Sequence, residues 1–193
     1  MIERPESLQP IPPHAIRVFE GKIFEIYQWE QELFDGTTTI FEKAKRTHDS
    51  VVAIPILPDG KLLITEDEQP GRAKLVTFPG GQMDTDEDPQ AAVLRELEEE
   101  TGYTSSDISY WFGFQPEAKV DYAVYFFIAR NCVPDGEIHH DAGERIKVRT
   151  VTLDELIELS DEPRFQNTAL APLLISARYN ADAKAKLAHQ LGL

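Results

Sequence analysis

Apolar residues recur along this chain at two different spacings, and the change from one to the other marks its elements. Residues 21–33 (GKIFEIYQWEQEL) are rich in aromatic and β-branched positions; an Asp35-Gly36 turn signal and TTTIFEKAKR follow, which predicts a hairpin over residues 17–46. Residues 51–57 (VVAIPIL) read as a buried strand, turned by Pro58-Asp59-Gly60 into KLLITE as a second hairpin. Further strands are predicted at 75–78, 108–114, 122–129 and 146–152, and YAVYFFIA in the third of these is apolar on both faces. Helical spacing governs residues 89–101, then LDELIEL at 153–159. It returns from about residue 168, with Leu170, Leu173, Leu174 and Ala177 on one face and a break near Asn180. Residues 1–13 hold four prolines and read as an extended, loosely held arm. The order hairpin, hairpin, strand, helix, strands, helix predicts an α+β sandwich with a mixed sheet. Residues 1–49 divide off as arm and hairpin, and 50–193 as the main domain with C-terminal helices.

At 193 residues the chain suffices for one well-buried domain and not for two large ones. With 19 basic and 34 acidic residues it carries a formal charge of −15, which argues against a nucleic-acid surface because phosphate binding needs a basic face. That charge leaves room for a small anionic substrate whose charge is met by a metal ion. A single cysteine, Cys132, precludes an intrachain disulfide and fits a reducing compartment; it follows an apolar strand and reads as structural. No run of 18 apolar residues and no apolar leader core occur, so no membrane partner is expected and the cytoplasm is the default.

The chemistry concentrates in residues 81–103, GQMDTDEDPQAAVLRELEEETGY. Asp88 can cap a helix that Pro89 starts and Gly102 ends, spanning about Pro89–Thr101. On that helix Glu96, Glu99 and Glu100 share a face, while Ala91, Leu94 and Leu97 lie on another that can pack on a sheet. Like charges three and four apart cost roughly 0.2–0.5 kcal/mol per pair, and acids sit poorly at a helix C-terminus. Stacked carboxylates there call for a cation, and oxygen ligands suit Mg²⁺ first and Mn²⁺ second. A solvated helix face is the ordinary reading of LEEE taken alone. The flanking Gly80-Gly81, Glu87, Arg95 and Gly102 argue against it here, and only Glu98 lies off the carboxylate face.

The spacing Gly81, five residues, Glu87, seven residues, Arg95-Glu96-Leu97, then Glu99-Glu100 and Gly102-Tyr103 resembles the signature box of the Nudix hydrolases. A chance match at these nine positions has odds on the order of one in ten million, so coincidence is set aside. The resemblance implies a Nudix-type α/β/α sandwich over about residues 50–160, with the N-terminal hairpin as an addition. With Glu68-Gln69-Pro70-Gly71-Arg72 and the Gly-Glu-x-Ile of Gly143-Glu144-Arg145-Ile146, it is most similar to the ADP-ribose pyrophosphatase branch, whose N-terminal strands help form a homodimer. It implies Mg²⁺-dependent hydrolysis of a nucleoside diphosphate linked to another moiety, ADP-ribose or an ADP-sugar. Other Nudix substrates (GDP-mannose, dinucleoside polyphosphates, NADH) and a non-catalytic nucleotide sensor remain alternatives.

By the same resemblance Glu96, Glu100 and Glu144 are metal ligands, Glu99 a ligand directly or through water, and the Gly80 carbonyl a further oxygen donor. Arg95 pairs with Glu87 and holds the loop on the helix. The general base is open: where some members carry a second acid this chain has Ala142, leaving Asp141, Glu144 or Glu99. Arg46 and Arg72 are candidates for the diphosphate or terminal ribose, since a guanidinium donates two bonds at once. Trp29 or Tyr27 could stack on a base across a dimer, with packing inside the hairpin as the alternative. His139 and His140 read as loop surface, and Trp111 and Phe112 as core.

Overall fold

The computed structural model describes residues 2–140 and 143–193. Its centre is a three-stranded sheet in which β9 (Val124–Arg130) lies between β4 (Ser50–Pro55), parallel to it, and β7 (Asp107–Phe114), antiparallel. Both faces of this sheet are covered, which is why β4 and β9 are apolar almost throughout. Alternate residues divide between two cores. Val51, Ala53, Tyr125, Phe127 and Ala129 pack with helix α1 (Pro89–Thr101) on one side. Val52, Ile54, Phe126 and Ile128 face the second sheet and the C-terminal helices on the other. That second sheet has the order β10 (Arg145–Val151), β5 (Leu62–Glu68), β6 (Leu75–Thr77), all antiparallel. Helices α2 (Leu153–Glu158), α3 (Ala171–Tyr179) and α4 (Ala181–Leu191) close the far side through Leu156, Leu174, Leu187 and Leu191. The result is the expected α/β/α sandwich.

Three expectations are corrected. Residues 51–66 do not form a two-stranded hairpin: β4 and β5 lie in different sheets, joined among the described residues by the Pro58–Gly60 turn, the Leu57 amide on the Lys61 carbonyl and one bridge, Ile56 to Leu62. Each strand is buried along most of its length and finds its hydrogen-bonding partners in a different sheet, so the turn becomes a corner between layers. The N-terminal hairpin is larger than predicted. Gly21 breaks it into β1 (Ile16–Glu20) and β2 (Phe24–Glu32), and β3 (Thr38–Arg46) then continues in parallel to β8 (Val120–Asp121). A side chain at Gly21 would have to displace the exposed Phe19 ring and would crowd the Phe24 carbonyl.

The third correction concerns the arm at residues 2–13, which is held. Arg4 bridges Asp49 at 2.7 Å and Asp121 at 2.7 Å, while the Gln115 amide donates to the Pro5 carbonyl. Lys43, almost wholly buried, donates to Ser7 Oγ at 2.5 Å and to the Gln9 carbonyl at 2.6 Å. Burial pulls the Lys43 ammonium below its ordinary value, and these two acceptors are what a buried ammonium requires. The four prolines stiffen the arm; the polar anchors between them decide where it lies.

Candidate active site

Helix α1 begins and ends where its sequence requires. Asp88 accepts from the Gln90 and Ala91 amides, Pro89 occupies the first turn, and Gly102 closes the helix in the left-handed conformation at φ 71°. The buried stripe is Ala92, Val93, Leu97 and Thr101, not the expected Ala91-Leu94-Leu97. Turning the helix by this amount places Glu96 and Glu100 at the edge of the core, beside the sheet.

There they meet the turn after β6. The Val51 amide donates to the Gly81 carbonyl at 3.0 Å and the Ala53 amide to the Pro79 carbonyl at 2.9 Å, so the turn runs along β4 as an extended strand. Carbonyls alternate sides along an extended chain, and Gly80 is therefore directed away from β4. Its amide donates to Glu100 Oε2 at 3.1 Å. Glycine is needed at both positions. A side chain on Gly80 would overlap the Val51 carbonyl, and one on Gly81 would lie 2.5 Å from Glu96 Oε2.

Arg95 organises the acids around it. It donates to Glu87 through two nitrogens, each at 3.0 Å, as expected. It also reaches the Gln82 carbonyl at 3.1 Å, Glu96 Oε1 at 2.8 Å and Glu99 Oε2 at 3.0 Å. Glu87 is held below the usual carboxylate range by its bonds to Arg95. Glu96 shares the same guanidinium yet is pushed up, because its burial outweighs that contact. Glu100 is pushed up to about 8, chiefly by burial; the Gly80 amide opposes this, and the nearby Glu96, Glu144 and Asp67 charges add to it.

These residues line a cavity of about 650 Å³. It gathers Gly80, Arg95, Glu96, Glu99, Glu100 and Glu144 together with both predicted arginines, Arg46 and Arg72. The loop before β10 contributes Glu144, which accepts from Gln69 Nε2 at 2.7 Å. Arg72 pairs with Asp67, and Arg46 lies 4.9 Å over the Tyr122 ring. His139 and His140 are exposed, as expected, and also line the cavity. The His139 amide donates to the Glu99 carbonyl and the His140 ring lies 3.2 Å from the Glu100 carbonyl, meeting carbonyls the helix end leaves open. Asp141 and Ala142 lie outside the described residues.

Trp29 is not brought to this cavity. It is buried in the N-terminal sheet against Phe41, with its indole N–H on Gln31. Tyr27 lines a second hollow of about 820 Å³ beside the arm, which meets the acidic cavity at Arg46 and Asp84. Trp111 and Phe112 pack against the core as expected. Cys132 is buried and its thiol is pushed up to about 11 by that burial, consistent with a structural role.

Sequence reasoning missed Thr65, Asp67 and Gln69, which all line the cavity. Their spacing of two along β5 and its continuation was the available signal. Asp67 Oδ1 is buried without a hydrogen-bond partner, and burial raises Glu100 among neighbouring carboxylates. An all-oxygen donor set with such an orphaned acceptor fits a hard divalent cation. Among the described residues no three acid, His or Cys side chains already converge on one point. Arg95 holds three of the box carboxylates, Glu87, Glu96 and Glu99.

The ADP-ribose pyrophosphatase of Bacillus subtilis is 31% identical over 147 residues, 74% of this chain and 78% of that protein. The methanol dehydrogenase activator of Bacillus methanolicus is 26% identical over 155 residues, covering 79% and 83%. A crystal structure of an ADP compounds hydrolase superposes with a TM-score of 0.72 at 18% identity, over 90% of this chain and 95% of that one, which shows the shared fold. The NUDIX domain profile matches residues 46–171, from the arginine at the end of β3 to the start of α3, and the chain belongs to that family.

Proposed function

We propose that this protein hydrolyses the diphosphate of a nucleoside diphosphate joined to another moiety, ADP-ribose or an ADP-sugar, yielding AMP and a sugar phosphate. The observation that carries the reading is the set of half-buried carboxylates of Glu96, Glu99, Glu100 and Glu144 that line one cavity with the Gly80 turn, Arg46 and Arg72. The name of the Bacillus subtilis relative supports the substrate class. Glu96, Glu100, Glu144 and the Gly80 carbonyl would hold Mg²⁺, or Mn²⁺ in its place, with Glu99 directly or through water. When bound, the ion offsets phosphate charge and lowers the pKa of a coordinated water.

The chain's own residues supply the remaining work. Arg46 and Arg72 draw the phosphates or the terminal ribose into the cavity and fix their orientation. Water attacks one phosphorus, its proton passes to a cavity carboxylate, and the bridging oxygen leaves with the electron pair of the broken P–O bond. Arg95 keeps Glu96 and Glu99 in place.

Two finer readings accompany this one. The outer face of the N-terminal sheet exposes Ile16, Val18, Phe19, Phe24 and Ile40, which supports a homodimer formed through it. A lone, buried, unpaired cysteine supports work in the cytoplasm, and among the described residues no helix is long and apolar enough to cross a membrane. Phosphate release, with Mg²⁺ and a coupled phosphatase, should be fastest on ADP-ribose or another ADP-sugar and lost in EDTA. Preference for GDP-mannose, NADH or dinucleoside polyphosphates would replace the substrate assignment, and binding without turnover would replace the enzyme by a sensor.

A further inference from the structure

We propose that Asn167, which lies outside the signature box, is a positioning residue for the cation-binding turn. The inference rests on the reading of the cavity given above. Residues 162–168 leave α2 and run back beside β6 as a short extra edge. The Val76 amide donates to the Arg164 carbonyl at 2.9 Å, the Gln166 amide donates to the Val76 carbonyl at 2.9 Å, and the Phe165 ring meets Phe78 edge-on. This path puts Gln166 at the cavity and turns Asn167 inward, where it is buried.

There Asn167 Oδ1 accepts two hydrogen bonds, from the Phe78 amide at 2.7 Å and from Thr77 Oγ1 at 2.9 Å. Phe78 is the last residue before Pro79, Gly80 and Gly81. On one side this turn is tied to β4 through the Pro79 and Gly81 carbonyls, and on the other Asn167 ties its entrance. Between the two ties Gly80 faces Glu100. Both donors satisfied by Asn167 belong to a sheet end where no neighbouring strand supplies the acceptor, because β6 ends at Thr77. Without that acceptor the buried Phe78 amide loses its partner, while the Thr77 hydroxyl keeps the Phe78 carbonyl at 3.0 Å, and the turn relieves the amide by moving. A displacement of about 1 Å is enough to spoil a site of this kind.

The test uses the full chain and Mn²⁺, with free Mn²⁺ followed by electron paramagnetic resonance. Asn167→Leu keeps the branching at Cγ and removes the acceptor. It should weaken Mn²⁺ binding at least tenfold and lower kcat at least tenfold, with KM within threefold. Asn167→Asp retains an acceptor oxygen at the same place and should bind Mn²⁺ within threefold of the parent or more tightly. Leu187→Ala, in the core under α4, should lower thermal stability and leave Mn²⁺ affinity unchanged, separating position from stability. Unchanged affinity in Asn167→Leu, or an equal loss in Asn167→Asp, overturns the proposal. If Asn167→Leu does not fold, Thr77→Val removes one of the two donors and should weaken Mn²⁺ three- to tenfold; no change there overturns it too. Should the parent protein turn over no diphosphate, the proposed function fails, and the Mn²⁺ comparison alone still decides the role of Asn167.

Discussion

Replacing Glu100 by glutamine should cut turnover at least a hundredfold and, in the metal-free protein, raise stability. The Glu100 carboxyl is pushed from an ordinary value of 4.5 to about 8, mainly because it is buried, and neighbouring carboxylates add to the effect. A group that binds its proton more tightly when folded makes stability fall as pH rises, starting from the unfolded value and ending at the folded one. Here that window runs from about pH 4.5 to about pH 8. At about 1.4 kcal/mol per pH unit, the accumulated cost at pH 7 is about 3 kcal/mol, an upper figure for a group coupled to other acids. Glutamine can still accept from the Gly80 amide and carries no charge to desolvate. In EDTA at pH 7, Glu100→Gln should therefore gain about 1–3 kcal/mol, or about 2–12 °C in Tm for a chain of this size. The gain should shrink as pH falls toward 4.5 and vanish below it, where the carboxyl is protonated in both states. With Mg²⁺ present the same variant should lose at least a hundredfold in kcat. Thermal unfolding at pH 5 and pH 7.5 in EDTA, beside a steady-state assay, measures both arms. A variant destabilised equally at the two pH values would refute the burial argument, and near-parental turnover would refute the place of Glu100 in the site.

Other perturbations reach other parts of the machinery. Gly81→Ala brings a methyl to 2.5 Å from the Glu96 carboxylate, so kcat should drop at least tenfold while Tm falls by only a few degrees; a folded, fully active variant would show that Glu96 need not lie there. Arg46→Ala should raise KM for ADP-ribose at least tenfold with kcat little changed, the signature of lost substrate binding, and an unchanged KM removes Arg46 from the substrate contacts. Arg4→Ala leaves Asp49 and Asp121 without their cation. The arm should then be cut by protease within residues 2–13 faster than in the parent, with a stability loss of about 1 kcal/mol because Arg4 is half-exposed. Equal cleavage rates would mean that Lys43 alone holds the arm.

Much of the chemistry was legible because it is local. The span of α1, its Asp88 cap, its Gly102 stop and the shared face of Glu96, Glu99 and Glu100 all follow from spacing within 23 residues. Hydrogen bonding of that kind involves neighbours in sequence, and a linear reading reaches it. Glu87 pairing with Arg95 is likewise only two helical turns away.

What escaped involves partners far apart in the chain. Asp67 and Gln69 became cavity residues when β10 paired with β5 and brought Glu144 opposite them, across 75 residues for the Gln69 to Glu144 bond. Asn167 reached Phe78 across 89 residues. The second hairpin failed for a related reason: the turn chemistry of Pro58-Asp59-Gly60 was read correctly, but two strands buried along most of their length find their hydrogen-bond partners in whichever sheets assemble around them. The prolines in the arm predicted looseness, and a buried lysine and a bridging arginine tied it down. Local spacing and turn residues thus determined the helix, its carboxylate face and the family of the fold. Tertiary structure alone decided how deeply each carboxylate is buried, which distant side chains face it, and what holds the glycine turn, because burial and long-range hydrogen bonds depend on what the rest of the chain packs against a residue.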